Sequence, residues 1–254
     1  MERDQKVAIV TGAGGGIGRA ISVKLVRAGM RLVLVDKVPE GVESLAQEIV
    51  QEGGQAIPCR VDVGDEADVR RCLEQTIVEY GRVDCLVNNA GISPKKPDGA
   101  KATLVEIPLA EWETVMRVNL TSVFLMCAAS IPHMQRQGAG AIVSISSSAA
   151  LDGGILAAAH YSASKGAVAA LTRTLAKEVA RHGIRVNAVA PGRVDTPMAK
   201  LSSDERNQAA RARIPLGRFA EPEEIADSVA YLLSDQASYV TGVTLNVSGG
   251  YVVA

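Results

Sequence analysis

The sequence predicts an α/β fold: one doubly wound domain in which a parallel sheet carries helices on both faces. Three observations predict it. Short β-branched runs alternate with longer amphipathic stretches from end to end. The short runs are almost continuously apolar, as strands buried on both faces must be. The first of them enters a turn with five glycines in the seven residues from Gly12 to Gly18, the signature of a strand that hands over to a helix beside a bound anion.

The first strand, VAIV (7–10), follows the charged opening MERDQK with no hydrophobic leader between them. In TGAGGGIG the spacing Thr11-Gly12-x-x-x-Gly16-x-Gly18 lengthens the first gap of the G-x-G-x-x-G pattern. The physics is the same: glycines make the turn, bring bare amides to a pyrophosphate, and let the helix sit close to the sheet. A tight turn alone needs one or two glycines, so Gly12, Gly15, Gly16 and Gly18 predict dinucleotide binding. An amphipathic helix near 17–29 follows, then the strand RLVLV (31–35), which ends at Asp36. A carboxylate there accepts from both hydroxyls of an adenosine ribose. It would repel a 2′-phosphate by about 1 kcal/mol in bulk water and several at lower dielectric. NAD is therefore favoured over NADP, although Lys37 could swing toward a phosphate.

Helical patterns near 40–52 and 66–80 flank the strand AIPCRV (56–61), and VDCLVN (83–88) is the fourth strand. A helix over 110–137, the strand AIVSIS (141–146), a helix over 160–182, the strand IRVNAVA (184–190), a helix over 222–234 and the strand VTLNV (243–247) complete the order. The irregular stretches 92–109 and 191–221 both follow strands. Loops that long are usually functional, and ligands sit beyond the carboxyl ends of parallel strands. The helix AAAHYSASKGAV (157–168) sets Tyr161 and Lys165 four residues apart, hence on one face.

Composition excludes other classes. A net charge of −1 with no long basic block argues against nucleic acid as a partner. Cys59, Cys72, Cys85 and Cys127 have no C-x-x-C spacing and no nearby histidine, so neither a metal site nor a disulfide framework is expected. The longest apolar runs, such as SVFLMCAASIP, are too short to span a membrane. A soluble, cytoplasmic protein is the expectation. SISSSA invites a serine-hydrolase reading, but no G-x-S-x-G elbow exists.

CLVNNAGIS (85–93), together with TGAGGGIG, SISSSA, YSASK and NAVAPG, resembles the compact branch of the short-chain dehydrogenase/reductase family over essentially the whole chain. The resemblance implies a Rossmann-type fold with a seven-stranded parallel sheet, usually tetrameric, that moves a hydride between a nicotinamide and a carbonyl or carbinol carbon. Residue by residue, it implies that Tyr161 is the acid/base and that Lys165 favours its phenolate and holds the nicotinamide ribose. Ser148, thirteen residues before Tyr161, would hold the substrate oxygen, because Ser147 would point to the other face of an extended chain. Asn119 would position a water in a proton relay behind Lys165. For the cofactor, Asp62 and Val63 would meet adenine, and Asn89, Ala90 and Gly91 would line the adenosine side. Ile17, Pro191, Gly192, Val194 and Thr196 would meet the nicotinamide end.

The resemblance also extends to 3-oxoacyl-[acyl-carrier-protein] reductases, typically NADPH-dependent, and to sugar and secondary-alcohol dehydrogenases. Asp36 and the sparse basic residues Arg136, Arg173 and Lys177 favour a small alcohol or ketone over a carrier protein. A non-catalytic nucleotide sensor is the remote alternative, and it would typically lack Tyr161 or Lys165. The substrate wall is expected from Ser93, Ser148, Gly153, Gly154, Ile155, Met198, Leu201 and Ile214, with a lid over about 193–215. Lys95, Lys96 and Lys101 are read as a solvated loop, with contact to an anionic substrate as the alternative. A homotetramer is expected through helices 110–137 and 160–182.

Overall fold

Seven strands form a single parallel sheet in the order β3-β2-β1-β4-β5-β6-β7. They are β1 (Val7–Thr11), β2 (Arg31–Asp36), β3 (Ala56–Arg60), β4 (Cys85–Asn88), β5 (Gly140–Ile145), β6 (Ile184–Pro191) and β7 (Thr244–Val247). The structure is a computed structural model that describes residues 5–154 and 156–253; Ile155 lies outside the described residues. Each strand falls within a residue or two of its expected place.

Alternation along the strands builds two cores. Ala8 and Val10 of β1 and Leu32 and Leu34 of β2 face one side. They meet Ile21 and Leu25 of α1 (Gly16–Arg27), Val42 and Leu45 of α2 (Pro39–Gln51), and Ile225 and Val229 of a C-terminal helix, Pro222–Leu233. Ile9, Val33 and Val35 face the other side. There they meet α3 (Glu66–Tyr80) and the helices that carry Met126 and Val168. Both faces of the sheet are thus covered, as near-continuous apolar strands require.

The expected helix over 110–137 is α4 (Leu109–Met116), a wide π turn (Arg117–Thr121) and α5 (Ser122–Gln137) run together. Contrary to the reading from apolar runs alone, this continuous helix is long and apolar enough to cross a membrane, with a mean hydropathy of 1.5. Here it packs instead, burying Val123, Met126, Cys127 and Met134 in the second core. Two short helices inside expected loops were not legible: α6 (Ala149–Asp152) and α8 (Asp204–Arg211). The remaining helices are α7 (Ala159–Val179) and α9 (Pro222–Leu233). Chain order reverses between β1 and β4, so their carboxyl ends open a crevice where α/β sheets bind ligands.

Candidate active site

The crevice begins at the glycine turn. A Cβ on Gly18 would lie 2.0 Å from the Gly12 carbonyl oxygen and 2.6 Å from Asn89 Nδ2, so α1 approaches this closely only because position 18 is bare. Asn89 Nδ2 donates to the Thr11 and Gly12 carbonyls at 2.9 and 3.0 Å and pins the turn. Gly15 is the reverse case. It precedes the twelve-residue α1 with no side-chain cap, and a Cβ there would touch nothing within 4 Å. Uncapped amides at a helix start, facing open space, fit an anion.

This cleft encloses about 1610 Å³, its open mouth included. Of the residues expected to bind a cofactor, Gly12, Gly15, Gly16, Ile17, Asp36, Lys37, Asp62, Val63, Asn89, Ala90, Gly91, Tyr161, Lys165 and Thr196 border it. Gly18 lies buried under the turn, and Pro191, Gly192 and Val194 border the adjoining cavity instead. Asp36 accepts from Gly14 N at 3.1 Å and Val38 N at 3.2 Å, which fixes its carboxylate. Lys37 does not swing free, since its ammonium donates to Asp62 at 2.9 Å. Burial alone would raise the Asp62 carboxyl, but hydrogen bonds from Lys37, Gly64 N and Arg117 outweigh it and hold it at about 2.

A second cavity of about 930 Å³, also open to solvent, adjoins the first. Tyr161 borders both, as do Ile17, Ile145, Thr196 and Met198. Burial raises the Tyr161 pKa, while a hydrogen bond with Ser147 and the nearby Arg193 charge pull it back. Ser147 thus stands beside the expected Ser148 as a second serine at this end of the cavity. β5 ends at Ile145, and Ser148 has turned helical (φ −55, ψ −29), so the alternation of an extended chain no longer holds there. Ser148 lines the cavity and donates its amide to Pro191 O at 2.8 Å, while Ser147 lines it too, accepts from Ala149 N at 3.1 Å and lowers the pKa of the phenol.

Lys165 is buried, and desolvation lowers its pKa to about 8. Its Nζ donates to Ile145 O at 2.7 Å and lies 5.8 Å from the Tyr161 ring centre. Arg193, a residue that the reading of PGRVDT passed over, is a second cation whose charge reaches the phenol. Asn119 is fully buried in the π turn, where the extra residue turns it inward. Its Nδ2 donates to Ile92 O at 3.0 Å and Ser164 Oγ at 3.1 Å, and its Oδ1 accepts from Ile92 N at 2.8 Å. Both amide protons are thus committed to holding the segment after β4 against α7.

Ser93, Gly154, Met198 and Ile214 line the second cavity as expected. Leu201 does not: the turn Ala199–Leu201 buries Ala199 and leaves Leu201 54% exposed. Gly153 is likewise absent from the border, which instead gains Lys95, Leu156, Ala157, Arg193 and Tyr251. The lysines of the loop after β4 also bond within the protein. Lys96 pairs with Glu106, Lys101 donates to Gly154 O at 3.3 Å, and Lys95 donates to Leu156 O. The two long loops also touch each other, where Arg206 Nη1 donates to Asp98 O at 2.7 Å.

Fold, cleft and phenol together define an oxidoreductase of the Rossmann class. A family model described as enoyl-(acyl carrier protein) reductase matches residues 12–252. A 3-oxoacyl-[acyl-carrier-protein] reductase of Thermotoga maritima is 38% identical over 100% of both chains. A cis-4-hydroxycyclohexanecarboxylate dehydrogenase of Sinomonas cyclohexanicum is 44% identical, covering 97% of this chain and 96% of its own. Among solved structures, a 3-oxoacyl-[acyl-carrier protein] reductase from Brucella melitensis with bound NAD superposes with a TM-score of 0.91 at 36% identity, over 99% of this chain and 94% of that one. The chain belongs to the short-chain dehydrogenase/reductase family, whose members here act on CH–OH and C=O groups.

Proposed function

We propose that the enzyme transfers a hydride between NAD(H) and a small secondary alcohol or its ketone. One observation carries the reading: Tyr161 stands at the junction of the glycine cleft and the second cavity, where a phenol can reach a carbinol oxygen beside a bound dinucleotide. The open cradle at Gly15 and the uncapped start of α1 fit a pyrophosphate. Asp36 would hold the adenosine ribose, with Asp62, Val63 and Asn89 to Gly91 along the adenosine side. Lys165 and Thr196 would sit toward the nicotinamide. The dinucleotide supplies hydride chemistry, and the protein supplies orientation and proton transfer.

In oxidation Tyr161, as phenolate, takes the carbinol proton. The Lys165 ammonium over its ring and the Arg193 charge favour that phenolate against the effect of burial. Ser147 donates to the substrate oxygen and stabilises the charge that develops there. The charge on Asp36 and the engagement of Lys37 by Asp62 support NAD over NADP. The Asp98–Arg206 contact supports the segment 193–215 as a lid that closes against the opposite loop. Phe124, 57% exposed on α5, supports assembly through that helix into a homotetramer.

The test is steady-state turnover with NAD⁺ or NADP⁺ on a panel of secondary alcohols, alongside NADH or NADPH with a 3-oxoacyl thioester. Tyr161→Phe should retain NADH binding and lose most turnover; full activity in that variant would sink the assignment. The second reading, carrier-protein thioester reduction, is favoured by the full-length Thermotoga relative. Fast thioester reduction with NADPH would select it.

A further inference from the structure

We propose that the substrate carries an anionic group, a carboxylate or sulfonate, apart from its carbinol carbon, and that Arg193 and Lys95 bind it. The inference rests on the alcohol-oxidising reading above and narrows its substrate class. The second cavity has no Asp or Glu on its border, yet two cations reach it from different loops. Lys95 comes from the segment after β4 and Arg193 from the segment after β6.

Neither has a carboxylate partner among the described residues. Lys95 Nζ donates to the Leu156 carbonyl. Arg193 Nη2 donates to Ala199 O and Asn207 Oδ1, both at 2.7 Å, and its Nε is buried with no partner. The Tyr251 hydroxyl, on the same border, is also buried without a partner. By contrast Lys96, next to Lys95, is neutralised by Glu106, and Arg206 of the same segment as Arg193 lies 3.5 Å from Asp98.

That arrangement costs free energy until a counterion joins it. A charge facing apolar walls with no counterion is penalised by desolvation, and two like charges add repulsion. Burial, then Arg193 and Lys101, depress Lys95 to about 8, and burial also lowers Arg193. An entering anion offsets both penalties. The planar guanidinium adds a fork matched to carboxylate or sulfonate oxygens. Because the Arg193 charge is also felt at Tyr161, an anion held there lies on the reacting side of the cavity and orients the carbinol toward the phenol. A neutral acyl chain would leave both cations unpaired.

The test is calorimetric titration of the full-length protein at pH 7, with and without saturating NADH. The probes are cyclohexanecarboxylate, cyclohexanesulfonate and the neutral cyclohexanecarboxamide. At least one anion should bind tenfold or more tighter than the amide, and the tighter of the two identifies the head group. Arg193→Gln and Lys95→Gln should each cut that preference at least threefold; should the first fail to fold, the second still decides. Equal affinity for anions and amide, or a preference kept in both variants, would overturn the proposal. Failure of the oxidoreductase reading shows separately, as absence of turnover on every alcohol while the anion preference stands.

Discussion

The hydroxyl of Ser147, fourteen residues before Tyr161, borders the same cavity as the phenol and lowers its pKa, whereas Ser148 precedes α6 as its N-cap residue and donates its amide to Pro191 O. A donor already at the phenol is placed for the oxygen that the phenol must reach. Loss of one such donor typically costs about 10²–10³-fold in kcat. Ser147→Ala should therefore lower kcat by that order, and Ser148→Ala by less than about tenfold. Steady-state kinetics on the best alcohol of the panel checks this, and the opposite ranking would return the role to Ser148.

Asp36 projects into the cleft with both oxygens already accepting backbone amides. Its charge opposes a 2′-phosphate, and the amides hold it in place to do so. Asp36→Ser should shift the ratio of kcat/KM for NAD⁺ over NADP⁺ toward NADP⁺ by about tenfold or more, since each 1.4 kcal/mol of relieved repulsion is a factor of ten. An unchanged ratio would show that Lys37 or another group sets the preference.

Much of this was legible because periodicity and glycine spacing are local. The strands were readable from apolar runs, and Gly12 to Gly18 announced the cleft before any neighbour was known. Ser147 was not legible, because its direction depends on where β5 stops, and the end of a strand is a tertiary event. Arg193 was missed for a related reason. Nothing in PGRVDT reveals that its guanidinium folds back toward the phenol, bonded to Ala199 and Asn207 of a turn and helix that polar composition had disguised as loop. Leu201 failed in the opposite direction, since a single 3₁₀ turn decides which of Ala199 and Leu201 faces inward.

Two glycines three residues apart should fail in different ways. Gly18→Ala puts a Cβ 2.0 Å from a backbone carbonyl that cannot move without breaking the turn. That overpacking should destabilise the protein by about 1–3 kcal/mol or more. Gly15→Ala meets nothing within 4 Å, and its φ of −171 is extended backbone open to any residue. It should fold normally yet weaken NADH binding, because the methyl group stands where the phosphates would approach. Thermal unfolding and NADH titration of both variants separate the two effects, and normal NADH affinity in Gly15→Ala would move the pyrophosphate elsewhere.

Lys165 gives the fold a pH dependence opposite to that of an ordinary ion-paired lysine. Burial holds its folded pKa at about 8, against 10.5 in an ordinary environment. Between those values the unfolded chain binds the proton that the folded chain has released, so stability rises with pH through this window. Below about 8 the folded protein must keep a buried ammonium, satisfied in part by the Ile145 carbonyl. Tyr161 works the other way, but its raised pKa acts only above 10, outside the range tested. From pH 7 to 9.5 the wild type should gain about 2 kcal/mol relative to Lys165→Met. Lys95, also depressed to about 8, contributes equally to both proteins and cancels. Urea unfolding at the two pH values and one protein concentration provides the measurement; parallel curves would mean that Lys165 is solvated well enough to keep its usual pKa.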